Sequence, residues 1–126
     1  MNKPVKILFS LLVLLISCNT PETKDNIEKW KAEIIQVEQD FNDLAQKIGL
    51  ADAFYEYAAN DGVIRKRGKL VEGKVAIQEW IKNDVRPNET LTWKPTFVEV
   101  SSSGDLAYTY GDATFTFIDS LGYKNE

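Results

Sequence analysis

The chain has 126 residues, 15 basic and 19 acidic side chains, a formal charge of −4, one cysteine and no histidine. This length suits one domain, the acidic balance opposes a nucleic-acid partner, and a single thiol leaves the fold without an internal disulfide. The missing histidine removes histidine–carboxylate dyads, histidine metal sites and serine or cysteine triads, so any general base has to be a carboxylate, a lysine or a tyrosine.

At the N-terminus, Lys3 and Lys6 precede the apolar stretch 7–16, and Leu15-Ile16-Ser17-Cys18 closes it. A short cationic region, an apolar run of this length and a small residue before the cut are the parts of a secretory signal. The closing string resembles a lipobox, in which the cysteine is acylated and becomes the new N-terminus. Residues 1–17 are therefore expected to be a lipoprotein signal peptide, and Cys18 the lipid anchor to a membrane of the bacterial cell envelope. The apolar stretch is shorter than the roughly 20 residues of a spanning helix. Cleavage removes 17 of 126 residues and leaves 109, and losing Lys3 and Lys6 takes the 15 basic side chains to 13 against 19 acidic, a charge near −6.

Residues 18–24 are polar, contain Pro21 and read as a tether, with the domain over 25–126. Asp25 then reads as an N-cap with Glu28 three residues on. Ile27, Trp30, Ile34, Val37, Phe41, Leu44 and Ile48 follow at spacings of three and four, which predicts a long amphipathic helix packed on a sheet and stopped by Gly49. Residues 50–59 predict a second, short helix ended by Asn60-Asp61-Gly62. A small hairpin follows, 63–67 and 70–71 around Gly68-Lys69, and then a third helix over 74–82 with Ile77, Trp80 and Ile81 on one face. Pro87 forbids its continuation.

From Leu91 the period becomes two. Residues 91–100 and 106–117 predict long paired strands joined by Ser101-Ser102-Ser103-Gly104-Asp105. A symmetric loop sets Leu91 against Phe115, Trp93 against Ala113 and Phe97 against Thr109 on one face, with Lys94 against Asp112, Thr96 against Tyr110 and Val98 against Tyr108 on the other. Pro95 and Gly111 fall opposite each other, a pairing that marks a bulge and a possible shift of register beyond it. Residues 119–122 form a turn that calls for a following strand, and only 123–126 remain. The expectation is a sheet short of its last one or two strands.

Five strings carry a family resemblance: Val37-Glu38-Gln39-Asp40-Phe41; Ala53-Phe54-Tyr55-Glu56-Tyr57-Ala58-Ala59-Asn60-Asp61-Gly62-Val63; Glu72-Gly73-Lys74-Val75-Ala76-Ile77; Leu91-Thr92-Trp93-Lys94-Pro95; and Ser103-Gly104-Asp105-Leu106-Ala107-Tyr108-Thr109-Tyr110-Gly111. In this order, over about residues 27–123, they resemble the nuclear-transport-factor-two-like (SnoaL-like) superfamily, in its domain-of-unknown-function branch. The resemblance implies an α+β fold: a cone-shaped, strongly curved antiparallel sheet on a long N-terminal helix, with two shorter helices. That branch continues beyond a Gly-Tyr like Gly122-Tyr123 with a strand, a turn and a tryptophan-bearing strand. The superfamily includes isomerases, dehydratases, epoxide hydrolases, binding pockets and dimerisation modules, so the fold by itself assigns no chemistry.

Ketosteroid isomerases of this fold place an aspartate base on the first strand. Here Arg65-Lys66-Arg67 occupy that neighbourhood, and a guanidinium cannot abstract a proton. Arg65 and Arg67 share a strand face and suit either a ligand carboxylate or phosphate, or a solvated hairpin protected by charge. The stretch 68–75 imitates a phosphate-binding loop, but Val75 stands where a metal-holding Ser or Thr is required, and no cofactor is expected. Asn88-Glu89-Thr90 matches a glycosylation acceptor, which a bacterial signal makes accidental.

Glu38 borders the apolar stripe of the long helix, where a carboxylate serves either as a pocket anchor or base, or as a hydrogen-bond acceptor for a neighbouring strand. Trp30, Trp80 and Trp93 read as core, whereas Tyr57, Tyr108 and Tyr110 can line a pocket and still satisfy their hydroxyls. The candidate ligand-binding set is Glu38, Tyr57, Arg65, Trp93 and Tyr108. The leading expectation is a non-catalytic pocket for a small apolar ligand. A carboxylate-assisted hydrolase or isomerase using Glu38, and a module that homodimerises through its sheet, are the alternatives.

Overall fold

The computed structural model describes residues 21–86 and 88–125; residues 1–17, expected to be a signal peptide, and Cys18 lie outside the described residues. The order is helix α1 (Pro21–Ile48), helix α2 (Leu50–Tyr57), strands β1 (Val63–Lys66) and β2 (Lys69–Glu72), helix α3 (Lys74–Asp84), then strands β3 (Thr90–Val100), β4 (Ala107–Ile118) and β5 (Lys124–Asn125). The fold is α+β, with a long N-terminal helix and two small antiparallel sheets.

α1 begins at Pro21 and not at an Asp25 cap, so residues 21–24 of the expected tether belong to the helix. Proline is at home in a first turn, where its missing N–H would have had no partner. Gly49 ends α1 at φ 91°: its N–H donates to the Ala45 carbonyl, and its own carbonyl accepts the Ala53 N–H to start α2. One left-handed glycine thus joins two helices at an angle. α2 ends at Tyr57, two residues earlier than its composition predicts, with the Ala58 N–H bonded to the Phe54 carbonyl.

The β1–β2 turn is Arg67-Gly68, one residue before the expected position. Both residues have positive φ, 48° and 79°, as a two-residue type I′ hairpin requires. Gly73, at φ 87°, bonds back to the Gly62 carbonyl and opens α3. The β1–β2 hairpin therefore returns onto the end of α2 before the chain enters the third helix.

β3, β4 and β5 form one sheet in that order, and β1–β2 a separate one. The single, strongly curved cone sheet implied by the resemblance is not seen among the described residues. The β3–β4 register agrees with expectation from Leu91↔Phe115 to Pro95↔Gly111, then shifts: Phe97 faces Tyr110, Val98 faces Thr109 and Val100 faces Ala107. Thr96 is the extra residue of a bulge. A bulge reverses the alternation on one strand only, so Val98 and Val100 join Leu91 and Trp93 on the α1 side, and Phe97 turns to the outer face to stack on Tyr110 at 4.7 Å. The predicted pairing of Phe97 with Thr109 is thereby corrected.

Ala45, Ala53, Ile77 and Ile81 are buried on the three helices, and Val100 is buried at the far end of β3. α1 packs on β3 and on α2, and α2 packs on α3. Phe41 links these layers: its ring lies 4.9 Å from Phe54 and 4.8 Å from Trp93, both edge-on. Trp30 supports the β3–β4 loop, close enough that a Cβ on Gly104 would come within 2.8 Å of its ring.

Opposite the bulge the strands approach so closely that a Cβ on Gly111 would lie 2.0 Å from the Lys94 carbonyl oxygen and 2.7 Å from the Pro95 Cα. Both are backbone atoms and cannot swing aside. Gly111→Ala is expected to cost about 2–3 kcal/mol, the upper range for overpacking, read as a lower urea midpoint with unchanged slope.

Candidate functional site

α1 brings one carboxylate to the seam between helix and sheet. Glu38 Oε2 accepts the Trp93 indole N–H of β3 at 2.9 Å, and Oε1 accepts the Thr109 hydroxyl of β4 at 2.9 Å. One turn on, Asn42 Oδ1 accepts the Trp93 backbone N–H at 3.0 Å, and Gln46 Nε2 donates to the Leu91 carbonyl at 2.9 Å. Glu38, Asn42 and Gln46 recur every four residues, so they form one polar ridge along the helix. This ridge clasps the strand beside the apolar stripe.

On the other side of Glu38, a groove of about 430 Å³ opens between α1, α2 and β1. Its lining is apolar, from Ile34, Val37 and Phe41 of α1 to Phe54 and Tyr57 of α2 and Val63 of β1. Among the described residues, Glu38 and Tyr57 are the ionisable side chains that line it. Tyr57 stacks on Phe41 with ring centroids 4.6 Å apart and remains 39 % exposed; Val37 and Val63 stand more than half exposed at the mouth. The groove is a cleft rather than a sealed cavity.

Of the expected ligand set, Glu38 and Tyr57 line the groove; Trp93 bonds to Glu38 and packs on Phe41 from the sheet side without lining it, and the other two lie elsewhere. Tyr108 lies on the outer face of β4, its ring 5.7 Å from Phe97 and away from the groove. Arg65 is exposed on β1 opposite Leu70 and does not line the groove. Arg67 is in the turn and pairs with Asp84 at 2.7 Å, so the two guanidinium groups do not form one anion site. The residues that sequence reasoning missed are Thr109, Asn42 and Gln46. The four-residue spacing from Glu38 was the available signal for the last two.

Three other carboxylates are held below the usual range, each by local donors. For Asp52 these are Lys82 and Gln78; for Asp105, the Ser103 and Ser101 hydroxyls of the β3–β4 loop; for Asp119, chiefly the Tyr123 N–H of the β4–β5 turn. All three stabilise turns or helix contacts remote from the groove. Among the described residues no acidic or cysteine cluster is arranged as a metal site, and no helix is long and apolar enough to cross a membrane. No protein-family model, curated protein or solved structure matches the chain.

Each Glu38 oxygen has a second lone pair, so the carboxylate can accept one more donor from the groove while it holds the sheet. An anchor for a hydroxyl or an amine fits this geometry. Trp93→Phe keeps a ring beside Phe41 but removes one donor to the carboxylate, and is expected to destabilise by about 1.5–3 kcal/mol, the range for a hydrogen bond to a charged group. In a Glu38→Ala background the same substitution should cost under half as much in urea denaturation, because the acceptor is already gone.

Proposed function

We propose that the chain is a lipoprotein of the bacterial cell envelope whose SnoaL-like domain holds a small, largely apolar ligand without transforming it. The observation that carries this reading is the groove: an aromatic and aliphatic cleft with one carboxylate at its edge, the usual composition of a small-molecule site. The finer fold reading, a cone built around α1, is supported by the bulge at Thr96, which bends β3 where α1 crosses it.

The chemistry of the lining favours binding over turnover. Glu38 is engaged on both oxygens by Trp93 and Thr109, and Tyr57 is the other ionisable group among the described residues that line the groove. Acid–base chemistry works best with a donor and an acceptor placed on either side of a reacting bond. Here one carboxylate is committed to the sheet and one phenol is stacked on Phe41.

The test is a thermal-shift series on the full chain with fatty acids, sterols and aromatic alcohols. At least one class is expected to raise Tm by several degrees, as a ligand at about 100 times its Kd contributes about 2.7 kcal/mol. Glu38→Ala and Tyr57→Phe should weaken the shift, Glu38→Ala more. No stabilising compound in any class would defeat the binding reading, and conversion of a bound compound would defeat the non-catalytic one.

The anchor has a separate test. Labelled fatty acid should appear on the chain in bacterial cells and be lost in Cys18→Ala, since Cys18 is the only thiol. Equal labelling of the two would overturn lipidation.

A further inference from the structure

The groove between α1, α2 and β1 carries one charge, and its sign constrains what can lie there. Glu38 is half-buried at the groove's edge, and among the described residues that line the groove there is no Lys or Arg. The donors that hold its two oxygens, the Trp93 indole N–H and the Thr109 hydroxyl, are both neutral. Two lysines of α1 form ion pairs elsewhere, Lys29 with Glu33 and Lys31 with Glu99. Neutral donors hold a carboxylate without cancelling its charge, so the groove has a negative pole set in an apolar wall. Every lining residue belongs to an element or turn that precedes β3, so this lining does not depend on what lies along the far edge of β4.

The groups that can end an apolar ligand meet this pole differently. A carboxylate or phosphate is repelled by it. A hydroxyl donates one hydrogen bond and leaves the charge uncompensated. A protonated primary amine does both, because an ammonium carries three donors and a full positive charge. Each Glu38 oxygen has a lone pair to offer it while Trp93 and Thr109 stay bound. The rings of Phe41, Phe54 and Tyr57 line the same groove, and aromatic faces attract a cation as well as an apolar body.

We infer that the groove takes a cationic amphiphile, an apolar body ending in a protonated primary amine that sits on Glu38. This rests on the reading of the groove as a small-molecule site and narrows the ligand to one class. Fatty acids and anionic lipids are rejected by sign, and alcohols of the same shape are the weaker ligands.

The experiment is a calorimetric titration of the full chain near neutral pH, corrected for probe taken up by detergent. Three probes share one body and differ at its end: phenylbutylamine, phenylbutanol and phenylbutyrate. The amine should bind at least about tenfold more tightly than the alcohol, the scale of one added charge contact near a protein surface, and the carboxylate should bind least. Glu38→Gln isolates the charge. Its amide oxygen can still accept the Trp93 N–H and its NH2 can donate to the Thr109 oxygen, so the clasp on the sheet retains its bonds. In that variant the amine should bind no more tightly than the alcohol, whose own affinity should change less than about threefold, the scale of one neutral hydrogen bond. A second measurement needs no variant: raising the salt should weaken the amine severalfold and leave the alcohol unchanged. Equal affinity of amine and alcohol, a carboxylate that binds as tightly as the amine, or an amine preference that survives in a folded Glu38→Gln would each overturn the ammonium inference and leave the groove reading standing. Binding of none of the three would also overturn it, and the thermal-shift series then decides the groove reading separately.

Discussion

The seating of α1 across β3 and β4 is the contact on which the rest of the molecule depends. The two sheets share no hydrogen-bonded strand pair among the described residues, so what joins them is helical. α1 packs on β3 with one part of its surface and on α2 with another, and α2 holds α3 and, through it, the β1–β2 hairpin. Phe41 touches both sides, with Trp93 on the sheet and with Phe54 and Tyr57 on α2. Apolar contact of this kind has no preferred register along a helix. The ridge of Glu38, Asn42 and Gln46 supplies one, because each bonds a particular atom of the strands.

The bulge at Thr96 decides what the helix meets. Without it, Phe97 would face α1 and Val98 would face outward, and a phenylalanine would stand where Val98 now lies. With it, β3 presents Val98 and Val100 to the helix and moves Phe97 to the outer face, where Tyr110 and Tyr108 cover its ring. β4 keeps its alternation throughout, so Thr109 remains on the inner face beside Glu38. The bulge and the bare backbone of Gly111 are two parts of one device: a local kink in β3 and the close approach that accommodates it.

The groove arises from elements that cover each other incompletely. α1 exposes Val37 and Ile35, α2 exposes Tyr57, and β4 exposes Tyr108, Tyr110 and Phe115. Two of the carboxylates held low by nearby donors, Asp105 and Asp119, lie in the turns, where backbone and hydroxyl donors order the loops at either end of β4.

Local patterning in the sequence determined the helices, the hairpin, the long strand pair and the bulge just beyond the Pro95–Gly111 pair, because periodicity, glycine and proline act within a few residues. It also marked Glu38 as the carboxylate at the margin of the apolar stripe. Element ends were off by a few residues where neighbouring forces decided them, as in the Arg67-Gly68 turn, which takes its hand from strand twist. Only the tertiary structure decided what Glu38 touches, since Trp93 and Thr109 are distant in the chain and the parity of β3 beyond Thr96 depends on where the bulge falls. The same holds for the separation of Tyr108 and Arg65 from the groove: side-chain type is written in the sequence, but which face it occupies is set by register, and a shift of one residue turns a strand over.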